Sequence, residues 1–430
     1  MKSPKLFKGV YIHKQDHRVL YFNPVPPDWI TINEKYKPIF DCFDGNNSID
    51  KIVSFINEHY QDEKTILVPQ VIEFLETSNV IERDRPYKEK THSNNKALAH
   101  PSPKYIYLTL TDQCNLKCKY CYAIERKQSN DAILETWKNY IKEILTVAKT
   151  PIFIFTGGEP LLEPNIYNIA QTTYEYGCEN ILLTNGTLIQ NKNIAEKIAK
   201  LFSLVKISLD SIDEDLSKEL RGPGIVQKVQ TAFNLLKDMN CNVQILATVT
   251  SITKEYLDSL SSHFEGKVSF QPFYSMGRGR FNSELSITGH EYYKALTRTD
   301  VFRLLPCFHR NIHNYKNRPF KRCAMANEEI SLNASGDIFP CHMLHYPELN
   351  CGNLNQESFR SIYYNSPILK KLRGLDVDHI DQCRICIFRN ICGGACRARV
   401  DIQKNGLDGT NEFCTFEKNS ILDALMYSYG

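Results

Sequence analysis

Three cysteines within eight residues constrain this chain more than anything else in it. Cys114, Cys118 and Cys121 stand in Thr111–Tyr122, TDQCNLKCKYCY, with three and then two residues between them. The alternating run Tyr105–Leu110 reads as a strand that delivers the loop. Three thiolates on one short loop can hold three corners of a cubane iron–sulfur cluster, which takes four cysteines when fully ligated. Such a set leaves one iron open to a further ligand, and an open metal position belongs to a catalytic site. Zinc is the competing reading. Its ligands come as a close pair joined to a second pair, and no cysteine or histidine follows closely enough to close a local zinc site.

The length of 430 residues allows about two to four domains, and an apolar content of 42% is enough for real cores. A formal charge of +3 gives no reason to expect nucleic acid as a partner. The N-terminal MKSPKLFKG has no apolar stretch, and no run of 18 apolar residues occurs, so a cytoplasmic protein without a membrane partner is expected. Fifteen cysteines in so large a chain favour metal or redox use over disulfides.

In chain order, Gly9–His13 and Arg18–Phe22 read as two short strands, followed by the proline-rich connector from Asn23. Ile32–Phe43, Ile49–Tyr60 and Val68–Ser78 read as helices, and Val80-Ile81 as a last strand. Residues 86–104 carry Pro86, Pro101 and Pro103 and read as a linker. From 105 to 285 six strand–loop–helix units follow one another, with strands ending at Thr111, Thr156-Gly157-Gly158-Glu159, Thr184-Asn185-Gly186, Asp210, Val249 and Phe273. Serial βα units imply a parallel, barrel-like sheet whose reactive residues gather at the C-terminal strand ends. Glycines 157 and 158 would let backbone approach a ligand.

The C-x3-C-x2-C loop, with Tyr120 before its last cysteine and GGEP 36 residues beyond Cys121, resembles the radical S-adenosylmethionine (radical SAM) enzymes. That resemblance implies a [4Fe–4S] cluster on Cys114, Cys118 and Cys121, with S-adenosyl-L-methionine bound nearby. It further implies cofactor contacts at Tyr120, Gly157, Gly158 and Glu159, the last two near the methionine amino group. Ser208 would contact the ribose or methionine portion, and Arg221 the methionine carboxylate, with Asn185 and Thr248 as further strand-end candidates.

Behind the barrel, a basic helical bridge, 286–322, leads to a second cysteine system. Cys323, Gly336 and Cys341 are followed by Cys383-Arg-Ile-Cys386, Cys392, Cys396 and Cys414, with a hairpin turn at Asn333–Gly336. This order and spacing resemble the SPASM extension of radical SAM enzymes, which implies two auxiliary [4Fe–4S] clusters. Cys383, Cys386, Cys392 and Cys414 would hold the distal one. Cys323, Cys341 and Cys396 would hold the nearer one, its fourth ligand being Cys307, Cys351, a substrate group or none. Cys42, Cys178 and Cys241 read as small buried residues.

Residues 1–85 resemble a PqqD-like, winged-helix leader-recognition domain through FNPVPPDWITIN, DGNNSIDKIV and VPQVIEFLETSNVI. Taken together, the resemblances imply an α/β protein: a winged-helix-like domain (1–85), a partial (β/α)6 radical SAM barrel (105–285) and a cysteine-rich SPASM domain (323–430). The implied activity is maturation of a ribosomally made precursor peptide, bound by its leader. A 5′-deoxyadenosyl radical would abstract hydrogen, and an external donor such as a flavodoxin or ferredoxin would supply electrons. A thioether cross-link is the first expectation. Carbon–carbon or ether cross-linking, epimerisation, and oxidation of a protein residue as in the anaerobic sulfatase-maturing enzymes are the alternatives. No residue is assigned as the catalytic acid, base or hydrogen donor.

Overall fold

The computed structural model describes residues 3–82, 102–123, 132–298, 316, 319–402 and 406–427. The N-terminal unit is an antiparallel sheet of β1 (Tyr11–Gln15), β2 (Arg18–Pro24) and β3 (Pro27–Asn33), in that order. The prolines that suggested a rigid connector instead form the turn between β2 and β3. Trp29-Ile30-Thr31-Ile32, aromatic and β-branched, then pairs with β2 in the register Phe22↔Trp29 and Leu20↔Thr31. The expected helix from Ile32 is therefore confined to Lys37–Asp41, after a single 3-10 turn. Helices Ile49–His59 and Lys64–Thr77 form as expected, the first capped by Ser48, which accepts from the Lys51 N–H. Val80-Ile81 contributes one bridge, Leu6↔Ile81, rather than a strand.

Alternation along β2 splits its side chains between two cores. Val19 and Tyr21 pack under the helices with Ile52, Ile56 and Leu75. Leu20 and Phe22, with Trp29, pack on Ile421, Ala424 and Leu425 of the C-terminal helix Cys414–Tyr427. Thr31 Oγ1 donates to the Leu425 carbonyl at 2.7 Å and Arg18 Nη1 to that of Met426 at 3.0 Å. The first unit of the chain is thus packed against its last helix.

The central sheet has nine strands. Six are the expected parallel series β4 (Tyr105–Thr109), β5 (Ile152–Thr156), β6 (Glu179–Thr184), β7 (Leu204–Ser208), β8 (Val243–Val249) and β9 (Val268–Pro272), in sequential order. Helices Leu134–Leu145, Ile166–Glu175, Lys192–Leu201, Ile225–Asp238 and Leu257–His263 connect them, and a further helix, Glu214–Leu220, precedes the fourth of these. Trp137, Ile141, Phe153 and Phe155 are fully buried where the helices cover the strands.

The remaining three strands come from the C-terminal region. β10 (Glu329–Asn333) runs parallel to β4, with Ser331 opposite Tyr107. β11 (Asp337–Phe339) and β12 (Gly352–Asn353) follow antiparallel. The hairpin anticipated at 333–336 therefore closes onto the first barrel strand, and Gly336 takes the left-handed backbone (φ +88°) its turn requires. Of the expected bridge, helix Gly289–Thr297 lies within the described residues. Among the described residues no helix is long and apolar enough to cross a membrane.

Candidate active site and cysteine clusters

The three-cysteine loop leaves the C-terminal end of β4 and is clamped from two sides. On one side the Gly158 N–H donates to the Thr111 carbonyl and the Glu159 N–H to that of Gln113, both at 2.8 Å. A Cβ on Gly158 would sit 2.1 Å from the Gln113 oxygen, and one on Gly157 (φ +140°) 2.4 Å from the Thr111 oxygen. The close approach these glycines permit is that of the cysteine loop itself. On the other side the Arg278 N–H donates to the Cys121 carbonyl at 3.0 Å and its Nε to that of Cys118 at 2.9 Å. The segment after β9 is thus a second brace, and nothing in its sequence spacing had marked Arg278.

The Cys114, Cys118 and Cys121 thiols lie within electrostatic reach of one another. Burial pushes Cys114 and Cys118 up. The Leu116 N–H and Arg278 oppose this at Cys114, and Arg221 opposes it at Cys118. Cations beside thiols that must ionise favour the metal-binding form.

These thiols open onto a cavity at the strand ends. Seven of the eight expected cofactor contacts line it: Tyr120, Gly157, Gly158, Asn185, Ser208, Arg221 and Thr248. Glu159 is placed otherwise. It is wholly buried, and its carboxylate accepts from Thr184 Oγ1 at 2.6 Å, the Asn185 N–H at 2.7 Å and the Leu161 N–H at 3.1 Å. Burial pushes this carboxyl up, and those three donors oppose the shift. Glu159 ties β5 to β6 rather than facing the cavity, because its short path from β5 leads straight to the donors at the end of β6.

The residue that sequence reasoning passed over is Asp210, noted only as a strand end. It is 2% exposed, receives Arg221 through Nε at 2.6 Å and Nη2 at 2.9 Å, and accepts from the Tyr120 hydroxyl and, at 2.7 Å, the Thr248 N–H. The Arg221 guanidinium also stands over the Tyr120 ring, 5.3 Å from its centroid. One carboxylate therefore holds three of the expected contacts in place. A lone aspartate at a strand end carries no such signal in sequence.

Behind the barrel the cysteines fall into two sets. Cys383, Cys386, Cys392 and Cys414 ring one small cavity, with Glu417 and Lys418 beside them. Burial pushes Glu417 up to about 7, with Arg399 opposing. Cys323, Cys341 and Cys396 form the second set through mutual electrostatic contact. Tyr274 joins this set to the strand-end cavity: it lines the cavity, hydrogen-bonds Cys396 and carries Arg399 over its ring at 4.6 Å. Cys351, one candidate for the fourth position, does not join the set. Its thiol donates to the Leu349 carbonyl at 3.3 Å and faces Ser366 and Arg373. Cys307, the other candidate, lies outside the described residues. Among the described residues all cysteines are free thiols. Such soft donors, in sets of three, three and four, suit iron–sulfur ligation.

Comparison with known proteins matches residues 108–263 to the radical SAM superfamily and residues 323–387 to SPASM, an iron–sulfur cluster-binding domain. The chain is 27% identical to the AdoMet-dependent heme synthase of Methanosarcina barkeri over 333 residues, which are 70% of this chain and 92% of that protein. It is 23% identical to the antilisterial bacteriocin subtilosin biosynthesis protein AlbA of Bacillus subtilis over 419 residues, 92% of this chain and 90% of AlbA. Its fold is similar to that of Streptococcus suis SuiB bound to precursor peptide SuiA, with a TM-score of 0.59 at 16% identity over 96% of this chain and 99% of that one. Both domain matches fall on the units that carry the thiols: the chain contains a radical SAM domain and a SPASM iron–sulfur cluster-binding domain, with S-adenosyl-L-methionine and [4Fe–4S] clusters as the cofactors.

Proposed function

We propose that this enzyme matures a ribosomally made precursor peptide, capturing its leader on the N-terminal unit and modifying its core in the barrel, with a thioether cross-link as the product. The observation that carries this reading is a groove of about 470 Å3 between β3 and helix Lys64–Thr77, lined by Ile30, Ile32, Leu67, Gln70, Val71 and Phe74. Among the described residues β3 pairs only with β2, so its outer edge remains available to an added strand. Strand addition beside a helix, with apolar side chains reading alternate residues, is a known mode of peptide capture. The expected edge, Arg18–Phe22, is instead the central strand of the sheet, and both its sides are already paired. The edges are β1 and β3, and β3 is the one that borders the groove. The likeness to AlbA and SuiB supports the peptide reading, since it spans 92% and 96% of the chain, whereas the heme-synthase likeness spans 70%.

When bound, the loop cluster and S-adenosyl-L-methionine together supply the 5′-deoxyadenosyl radical that takes a hydrogen atom from the peptide. The chain's own residues bind and orient. Cys114, Cys118 and Cys121 would hold the cluster, and Gly157 and Gly158 let the loop settle and would leave their backbone open to the methionine amino group. Asp210 fixes Arg221 for the methionine carboxylate, while Ser208, Asn185 and Thr248 serve the ribose and methionine portion. Holding the reacting C–H bond close in the barrel supplies the proximity that such chemistry needs. Cys323, Cys341 and Cys396 on one side, and Cys383, Cys386, Cys392 and Cys414 on the other, would hold two auxiliary clusters, which would supply an electron acceptor during bond formation, with a flavodoxin or ferredoxin as the external electron donor.

The test uses the full chain. Deleting residues 1–90 would strip the cover from Ile421, Ala424 and Leu425 on the helix that begins at Cys414, so groove variants are the cleaner probe. Ile32→Asp and Gln70→Ala, checked for unchanged melting and cluster absorbance, should weaken binding of a leader-bearing precursor peptide at least tenfold by calorimetry, about 1.4 kcal/mol. Cleavage of S-adenosyl-L-methionine without peptide should persist. Equal affinity for all variants would reduce the N-terminal unit to a structural cap.

A further inference from the structure

The hairpin that carries Cys341 brings a second kind of donor to the nearer cysteine set. Glu329, at the start of β10, faces His342. Its Oε1 accepts from the His342 backbone N–H at 3.1 Å and lies 2.7 Å from the ring Nδ1. Cys341 Sγ is 3.9 Å from that nitrogen, and the carboxylate oxygen, the sulfur and the ring nitrogen all lie within 4.8 Å of one another. The same carboxylate is within electrostatic reach of Cys323. It therefore stands beside Cys341 and acts on Cys323 through space.

His342 also meets aromatic rings that lead to the strand-end cavity. The His342 ring stacks on Tyr107, with centroids 4.1 Å apart, and meets Tyr122 nearly edge-on at 6.2 Å. Tyr122 belongs to the cysteine loop and lines the strand-end cavity. The Glu329–His342 pair is thus joined to the wall of that cavity through Tyr122.

Charge makes the arrangement hard to read as packing alone. The Glu329 side chain is only 15% exposed. Once Cys323, Cys341 and Cys396 become thiolates, a buried carboxylate beside them adds a fourth negative charge. Like charges so converged in a dry site are costly unless a cation stands among them.

We propose that Glu329 is the fourth protein ligand of the nearer auxiliary cluster, completing Cys323, Cys341 and Cys396, and that His342 orients its carboxylate. This rests on the assignment of that cluster to the cysteine trio under the proposed function. Metal-ligating groups are ordinarily held by hydrogen bonds from outer partners, the relation His342 has to Glu329. A carboxylate is a harder donor than thiolate and suits iron–sulfur iron less well, so this iron is the one a soft donor such as a peptide cysteine exchanges onto most readily.

The experiment uses the full chain with Cys114, Cys118 and Cys121 replaced by Ala, so that only auxiliary clusters contribute, reconstituted anaerobically with iron and sulfide. The parent should hold about eight iron atoms. Glu329→Ala, or the near-isosteric Glu329→Gln if Ala folds poorly, should lower this by about one iron and yield a three-iron cluster signal by electron paramagnetic resonance. Glu329→Cys should restore the four-iron form with an altered spectrum, and His342→Ala should keep the iron while shifting the midpoint potential. An unchanged spectrum in the Glu329 variants overturns the proposal, as does loss of one iron in Cys307→Ala instead. If Cys323→Ala costs no iron, the trio holds no cluster; the underlying assignment then fails and takes this ligand with it.

Discussion

At the scale of single residues, the cysteine loop depends on what two glycines leave out. Gly158 has no room for a side chain, since its Cβ would lie 2.1 Å from a backbone oxygen of the loop. Gly158→Ala should therefore displace Thr111–Gln113 and with them the thiols. We expect loss of about four irons and of S-adenosyl-L-methionine cleavage, measured by iron assay and 5′-deoxyadenosine yield, with the auxiliary clusters intact. A variant that keeps its full iron content would mean that the clamp does not position the loop. Both glycines were legible in the sequence as a place of close approach. What approaches was not, because the partner is a backbone carbonyl 45 residues earlier, Gln113 against Gly158. Asp210 was missed for a related reason. Its partners Tyr120, Arg221 and Thr248 come from three separate segments, which only the parallel sheet gathers at one end.

At the scale of elements, helix Gly289–Thr297 shows how a cap couples stability to pH. Thr288 Oγ1 accepts from the Glu291 N–H at 3.2 Å, and the Glu291 carboxylate accepts from the Thr288 N–H at 3.0 Å and its hydroxyl at 2.8 Å. Lys254 Nζ adds a bond at 2.8 Å, and these donors hold Glu291 down at about 2 against its ordinary 4.5. A carboxyl depressed in the folded state stabilises fully above its unfolded value, and that contribution is lost as pH falls through the folded one. Glu291→Gln should therefore melt at a lower temperature than the parent at neutral pH, with the gap closing between about pH 4.5 and about pH 2. A gap of constant size across that window would exclude the carboxylate as its source. The sequence reading of 286–322 as a basic helical bridge did not single out this cap, and β3 was misjudged as connector and helix. Its prolines lie in the turn, and its β-branched residues take their conformation from pairing with β2.

At the scale of the whole molecule, the chain closes on itself twice. β10 adds to β4, joining the C-terminal cysteine region to the barrel sheet, and the N-terminal sheet packs on the helix that starts with Cys414. If the distal cluster serves as an electron acceptor, Cys383→Ala should still form 5′-deoxyadenosine while yielding little cross-linked peptide, as read by mass spectrometry. Unchanged peptide yield with the cluster demonstrably absent would remove that role. The sequence by itself determined the six βα units, because they depend on short-range order: apolar periodicity selects strand or helix. The grouping of the cysteines behind the barrel was implied by the SPASM resemblance rather than by spacing alone. Tertiary structure alone decided that β2 is the centre of the first sheet and β3 an edge, which backbone fills the space above Gly157 and Gly158, and which carboxylate meets Cys341. Those outcomes depend on strand register and on packing between distant segments, where shifting β10 by one residue against β4 would turn Glu329 and Ser331 to the opposite face.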